Sequence, residues 1–170
     1  MTEEARIMDQ AVKAAAGREG KYLTFTLAKE EYGIGIKKIK EIIGVMPVTS
    51  VPRTPDFVKG VINLRGKVIP VIDLRLRFGL EAVEHTDRTC IIVVEIRGAS
   101  GKLVIGIVVD SVSEVLNIKG TDIEDTPAFG AALDTEYILG MAKMDGEVKI
   151  LLDIDRVLGA GEIAKIEDTL

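Results

Sequence analysis

The chain has 170 residues, of which 47% are hydrophobic and 29% are charged, and its formal net charge is -5. This length and apolar content allow a buried core without a staple and exclude a disordered polypeptide. Lys and Arg form no basic stripe, so we expect no nucleic-acid binding. A single Cys excludes an intramolecular disulfide. No secretion signal and no run long enough to cross a bilayer are visible, so we expect a cytoplasmic protein without membrane insertion.

The ends of the chain differ from its middle. Residues 1–20 are polar and Ala-rich with weak helical spacing, so they are predicted as a flexible N-terminal arm. Residues 161–170 have a similar composition and are predicted as a C-terminal tail. The intervening segment, about 22–160, is predicted to hold the folded part of the protein.

The folded segment opens with a strand pattern. Apolar residues alternate over residues 23–27, and a second alternating stretch at 32–36 completes a predicted hairpin. Over residues 37–43 the alternation is lost and isoleucines recur at helical spacing. We therefore predict a short helix there, ended by Pro47.

A duplication organises the rest of the chain. The stretch GVINLRGKVIPVIDLRLRFG (60–79) is repeated without gaps, 80 residues later, as GMAKMDGEVKILLDIDRVLG (140–159). The first hairpin is echoed at an offset of 73, so the connection at 117–137 is seven residues longer than its counterpart. One supersecondary unit used twice explains both repeats. The longer connection is either a partner-specific contact or a surface loop without a role.

Each copy carries the same turn and capping residues. A glycine stands where a tight hairpin needs positive φ, an aspartate precedes a short helical stretch, and another glycine follows it. These positions are Gly66, Asp73 and Gly79 in the first copy and Gly146, Asp153 and Gly159 in the second. Two small β-barrels packed back to back would bury such strands. We assign the first barrel to about 22–83 and the second to about 89–159, and exchange of strands between them stays open.

Enzyme chemistry has no support in the sequence. His85, the single histidine, lies in the polar linker EHTDR without a paired nucleophile, and one His with one Cys gives no set of soft metal ligands. The glycines before Lys67 depart from the spacing of a phosphate-binding loop. Asp153 and Asp155 fit helix capping better than a cation site. We expect no catalytic residue, no cofactor and no metal.

Arg65 is the charge that the framework does not require. It occupies a predicted hairpin tip where the second copy has Asp145. It is either a solvated turn residue or an anchor that pairs with Glu41 and faces a protein ligand. Both interpretations stay open.

Four segments carry a family resemblance. EEYGIGIKKIKEI, GVINLRGKVIPVIDLR, IGIVVDSVSEVL and ILLDID follow one another in this order, and as a set they resemble the CheW family, the coupling proteins of bacterial chemotaxis. The resemblance covers about 22–160. It implies a mainly β fold of two SH3-like five-stranded β-barrels with short helices, packed around a shared hydrophobic core, and no catalytic activity.

The resemblance also implies partners. CheW proteins are adaptors that bridge the cytoplasmic helical-hairpin tips of chemoreceptors to the regulatory domain of the histidine kinase CheA, with the receptor tip in a groove between the barrels. Matching motif positions imply receptor contact by Ile39, Glu41, Gly60 and Arg65, and kinase contact by Glu124 and Phe129. The family often has a basic residue where this chain has Glu124.

Several alternatives accompany these assignments. Ile39 could pack in the core, Gly60 could serve a turn, and Phe129 is either a tucked-in lid or an exposed anchor. At the level of function, the rivals are the same fold within a CheV-like protein or the regulatory end of CheA, a small enzyme that acts on nucleotides, and a module for Pro-rich peptides. The last needs an aromatic groove, which 4% aromatic content and the lack of Trp disfavour.

Overall fold

The structure is a computed structural model that describes residues 2–3, 5, 17–98, 101–127 and 136–168. Within these residues the fold is mainly β, as the sequence predicts. The strands are β1 (Gly20–Leu27), β2 (Glu30–Gly35), β3 (Ile39–Gly44), β4 (Val58–Leu64), β5 (Lys67–Asp73), β6 (Cys90–Gly98), β7 (Gly101–Val109), β8 (Ser111–Ile118), β9 (Ile123–Glu124), β10 (Ile138–Met144) and β11 (Glu147–Leu152). The helices are α1 (Leu74–Arg77), α2 (Ile154–Val157) and α3 (Ala160–Asp168), with 3-10 turns at Ile36–Lys38 and Gly120–Asp122.

The strands form two sheets that each close on themselves. One sheet has the order β8-β1-β2-β11-β10-β9, and the other has the order β3-β6-β7-β5-β4. In the first, β9 follows β8 after one 3-10 turn and pairs with β10 at the opposite edge. In the second, Thr49, just beyond β3, pairs with Val61 of β4. Counting β8 and β9 as one bent strand gives two five-stranded barrels, named here the β10–β11 barrel and the β4–β5 barrel.

The first hairpin of each half of the chain lies in the barrel formed by the other half. β1 and β2 pair with strands of the β10–β11 barrel, whereas β6 and β7 pair with strands of the β4–β5 barrel. Each exchange ends in a parallel contact, with Leu151 opposite Gly33 and Val71 opposite Gly106. Both glycines lie close to neighbouring side chains. A Cβ added at Gly33 would stand 2.9 Å from Leu151, and one added at Gly106 would stand 2.7 Å from Ile91. The barrels therefore do not follow the ranges 22–83 and 89–159.

Three apolar clusters hold this arrangement together. The largest lies between the barrels and includes Phe25, Ile72, Ile107 and Leu152, all with at most 1% exposure. A smaller cluster fills the inside of each barrel. Burying one such side chain contributes roughly 1.5–3 kcal/mol, so the shared core between the barrels is the main source of stability.

The predicted hairpin turns and the aspartate caps at the helix starts are confirmed. Gly66 and Gly146 have φ angles of 86° and 78° and follow residues that also have positive φ, which is the pattern of type I′ turns. The carboxylate of Asp73 accepts from the backbone N–H groups of the first turn of α1, and Asp153 does the same for α2. Each cap satisfies donors that a helix start leaves unpaired.

The helix predicted over residues 37–43 is wrong. The structure has a single 3-10 turn at Ile36–Lys38 followed by β3, which pairs with β6. A register shift between Ile39 and Glu41 interrupts the alternation, and this bulge imitates helical spacing in the sequence.

The end of the chain also differs from the prediction. Most of the expected tail 161–170 lies in α3, whose Ile163 and Ile166 are 7% and 1% exposed and belong to the shared core. Gly159 does not have positive φ. Its N–H donates to the Glu162 side chain at 2.7 Å, so it begins α3 rather than closing α2.

Candidate functional site

A surface groove of about 620 Å³ lies on the β4–β5 barrel. Its floor is apolar and comes from β4–β7, namely Leu64, Ile69, Val93, Leu103 and Val104. Its rim is charged and consists of Lys40, Glu41, Arg65, Lys67 and Glu95. The groove therefore combines an aliphatic surface with polar groups at its edges, as protein-binding grooves do.

The position of this groove differs from the one that the family resemblance implies. All its residues belong to the β4–β5 barrel, whereas the resemblance implies a receptor groove between the barrels. A groove of about 480 Å³ does lie at the boundary, where Thr26 and Ser111 approach Cys90, but none of the predicted receptor-contact residues lines it.

Glu41 and Arg65 meet at the rim of the β4–β5 groove. Nη2 of Arg65, at the β4–β5 turn, donates to Oε2 of Glu41 on β3. The side chain of Glu41 is 31% exposed and that of Arg65 is 69% exposed. An exposed pair of this kind contributes about 0–1 kcal/mol to stability. The pair orients the rim of the groove and adds little to the fold.

Ile39 and Gly60 have structural roles. Ile39 is half-buried and packs against the shared core. Gly60 is buried with φ at 142°, and a Cβ there would overlap the carbonyl oxygen of Thr49. The missing side chain lets the chain beyond β3 cross β4 and close the barrel. The structure thus brings Glu41 and Arg65 together at the groove and places Ile39 and Gly60 in the framework.

Glu124 lies on the other barrel. It is exposed on β9, and its Oε1 is 2.5 Å from Nζ of Lys143 on β10. Phe129 lies outside the described residues. The predicted receptor pair and Glu124 therefore occupy different barrels.

Both ends of the connection that contains Phe129 are fastened to the framework. Nη1 of Arg18 donates to Asp125 Oδ1 at 2.8 Å and to the Leu139 carbonyl at 3.4 Å. The ring of Tyr137 stacks on Phe78, with centroids 5.0 Å apart. The entry and the exit of the connection are thus held by the segment before β1 and by the residue that ends α1.

Sequence reasoning missed most of the groove. Lys67 could have been found, because the second copy has Glu147 at that place just as it has Asp145 in place of Arg65. Val93 and Val104 could not, since they enter the β4–β5 barrel only through the exchange of hairpins.

The groove of the β4–β5 barrel offers apolar and charged side chains for non-covalent binding. Among the described residues, no three His, Cys, Asp or Glu side chains come close enough to hold a metal ion. In the same part of the chain, no helix has the length and apolar character needed to cross a bilayer. The charged rim and aliphatic floor can hold another polypeptide in place.

A paired barrel with such a groove defines a protein-binding scaffold. The comparisons with known proteins specify which one. The family model of the CheW-like domain matches residues 21–162. Chemotaxis protein CheW of Klebsiella aerogenes is 43% identical over 147 residues, which cover 86% of each chain. Chemotaxis protein CheW of Rhizobium meliloti is 32% identical over 155 residues, covering 91% of this chain and 97% of that protein.

A solved structure agrees with these relatives. The crystal structure of the scaffolding protein TtCheW from Thermoanaerobacter tengcongensis superposes with a TM-score of 0.74 at 37% identity, and the match covers 85% of this chain and 95% of that one. The chain belongs to the CheW family. It is a chemotaxis adaptor and not an enzyme.

Proposed function

We propose that this adaptor works in the cytoplasm and couples the helical-hairpin tips of chemoreceptors to the regulatory domain of the histidine kinase CheA. The observation that carries the proposal is that the predicted receptor-contact and kinase-contact residues lie on different barrels of one frame. Glu41 and Arg65 lie on the β4–β5 barrel and Glu124 lies on the β10–β11 barrel, while the shared core joins the barrels.

The receptor contact is assigned to the groove of the β4–β5 barrel. A helix presents apolar ridges at spacings of three and four residues, and an aliphatic groove accepts such ridges. The charges of Arg65 and Glu41 at the rim would set the orientation of the receptor tip, because charge complementarity governs register and association rate more than affinity. Ile39 and Gly60 would contribute indirectly, because they hold β3 and the closure of the barrel in place.

The kinase contact is assigned to Glu124 on β9 and to Phe129 in the connection that follows. An aromatic residue is a frequent anchor in protein interfaces. The fastening of Asp125 by Arg18 and of Tyr137 by Phe78 supports this assignment, because it fixes both ends of the segment relative to the barrel. Signal transfer then requires only that the partners contact the adaptor differently in the two receptor states.

A binding experiment with two variants tests the proposal. The purified protein is mixed with a receptor cytoplasmic fragment and, separately, with a CheA regulatory domain, and complexes are detected by co-elution and titration. We expect Arg65→Glu to weaken receptor binding about tenfold and to spare kinase binding. Phe129→Ala should weaken kinase binding and spare receptor binding, because it removes the aromatic anchor of the proposed kinase contact.

The outcomes separate partner-specific effects from misfolding. Equal loss of both partners in one variant would point to damage to the fold, which a thermal melt of that variant would reveal. Wild-type protein that binds neither partner at tens of micromolar would contradict the proposal.

A further inference from the structure

The duplication supplies an internal control for the groove on the β4–β5 barrel. Residues of β4 and β5 correspond to residues 80 positions later in β10 and β11. Residues of β2 and β3 correspond to residues 73 positions later in β7 and β8. For β1 and β6 the offset is 69, because Thr24 lies opposite Gly33 and Val93 lies opposite Gly106. Every groove residue therefore has a counterpart on the β10–β11 barrel, and these counterparts are named here the matching face.

The two surfaces have opposite charge. The groove carries three cations, Lys40, Arg65 and Lys67, and two carboxylates, Glu41 and Glu95, so its net charge is +1. The matching face carries five carboxylates and one lysine and has a net charge of -4. Its charged residues are Glu30, Glu31, Glu114, Asp145, Glu147 and Lys149. One framework thus supports both signs, so the fold does not impose the cations of the groove.

The floors also differ. Ile69 and Val104 line the groove, whereas their counterparts are Lys149 and Glu31, which form an ion pair. The Lys149 side chain is 8% exposed, so a charged pair takes the place of the apolar floor. The matching face still has a groove of about 430 Å³, which Glu30, Glu31 and Glu147 line. Both barrels have an exposed valine at the rim, Val68 in the groove and Val148 on the matching face.

The cations of the groove are available to a ligand. Arg65 is 69% exposed and pairs only at the surface with Glu41. Lys40 is 3.6 Å from Glu95, and exposed pairs of this kind contribute little to stability. Lys67 is exposed and forms no salt bridge with any residue that the structure describes. A carboxylate that entered the groove would replace Glu41 on Arg65 at small cost.

We propose that the groove binds an apolar segment that carries a carboxylate next to its apolar ridge, and that this carboxylate displaces Glu41 from Arg65 and contacts Lys67. The inference rests on the proposed function, in which the segment belongs to the receptor tip, and it adds the chemistry of the segment. The same ligand is repelled by the matching face, since specificity arises from repulsion as well as attraction. One adaptor therefore takes one such segment, and only on the β4–β5 barrel.

Charge swaps at corresponding positions test this proposal. The groove variant combines Arg65→Asp with Lys67→Glu, which gives the groove the two residues of the matching face. The control variant combines Asp145→Arg with Glu147→Lys, the reverse exchange on the other barrel. The probe is a receptor cytoplasmic fragment, titrated at low and at high salt. Thermal melts of both variants establish that they fold, which we expect because all four residues are exposed.

The expected results differ in direction. The groove variant should bind about tenfold more weakly at low salt and should lose most of the salt dependence of wild type. The control variant should bind the receptor fragment at the groove with wild-type affinity. Glu41→Gln should bind about two- to fivefold more tightly, because Arg65 is released without the loss of a cation.

Three outcomes would overturn the inference, and a fourth would overturn the receptor contact on which it rests. A folded groove variant with wild-type affinity would overturn the inference, and so would equal losses in the groove and control variants or weaker binding by Glu41→Gln. Wild-type protein that does not bind the fragment would instead overturn the proposed receptor contact. If the wild type binds the fragment and the charge variants bind it equally well, the inference is contradicted and the proposed receptor contact is not.

Discussion

Arg75 holds both carboxylate oxygens of Asp110, with Nε 2.7 Å from Oδ1 and Nη2 2.6 Å from Oδ2. Asp110 also accepts from the backbone N–H of Ala28, which has positive φ in the β1–β2 turn. One carboxylate therefore ties α1 of the β4–β5 barrel to the turn of a hairpin in the β10–β11 barrel.

The corresponding place in the second copy has the opposite polarity. Asp155 stands where the first copy has Arg75, and it pairs with Lys38 at 2.6 Å. It also accepts from the backbone N–H of Arg97, the counterpart of Ala28, at 3.0 Å. The second copy thus has the carboxylate on its helix, and the cation, Lys38, lies one residue beyond the counterpart of Asp110.

The Asp110 interaction makes stability depend on pH. The hydrogen bond from Arg75 lowers the pKa of Asp110 below its usual 3.8, against the opposing effect of burial. A lowered pKa in the folded protein means that the contribution is present above about pH 4 and is lost as the pH falls through the folded value. We expect Asp110→Asn to lose about 1–3 kcal/mol of unfolding free energy at pH 7, measured by urea denaturation.

The same variant should show a smaller decline in stability between pH 4 and pH 2 than the wild type. Asp56→Asn, at an exposed site, serves as the control and should follow the wild-type profile. Parallel curves for Asp110→Asn and the wild type would contradict the assignment.

Gly60→Ala should destabilise the β4–β5 barrel. An added methyl group would meet the Thr49 carbonyl, and the φ angle of 142° is unfavourable for a side chain. We expect a loss of at least about 2 kcal/mol, seen as a lower urea midpoint. Gly44→Ala is the matched control, since no atom lies within 4 Å of its added Cβ. Similar midpoints for the two variants would show that the close approach to Thr49 is unimportant.

Helix α3 should contribute to global stability. Ile166 is 1% exposed within the shared core, and truncation of such a side chain to Ala costs about 2–5 kcal/mol. Lys165→Ala, one residue earlier on the exposed side, should change the melting temperature little. If Ile166→Ala had the melting temperature of the wild type, α3 would not contribute to global stability.

Arg18 should control the ends of the long connection. Removing its guanidinium leaves the Leu139 carbonyl and Asp125 without their partner. We expect Arg18→Ala to lose about 1 kcal/mol and to speed amide hydrogen exchange near residues 138–140. Arg156→Ala, whose side chain is 66% exposed, provides the comparison. Unchanged exchange in Arg18→Ala would exclude this role.

Local chemistry made much of the fold predictable. Gly66 and Asp73, with their second copies, identify the turns and caps because tight turns and helix starts impose their own residue requirements. Alternation, by contrast, identifies a strand without naming the strand beside it. The exchange of β1–β2 and β6–β7 could not be read from the sequence for this reason.

The errors also have physical causes. A bulge in β3 imitated helical spacing around Ile39, and long-range pairing with β6 decided the outcome. The short polar end of the chain became α3 because Ile163 and Ile166 found the core between the barrels. At the groove, the mismatch of Arg65 with Asp145 drew attention to one rim residue, while the floor arises from tertiary structure alone.

The exchanged hairpins have a consequence for how the molecule comes apart. A cut in the linker at 84–88 would leave two pieces, each with strands that belong in both barrels. Neither piece could complete a closed sheet by itself, although the two together could reassemble. Denaturation of the intact chain should accordingly be a single cooperative event rather than the successive loss of two lobes.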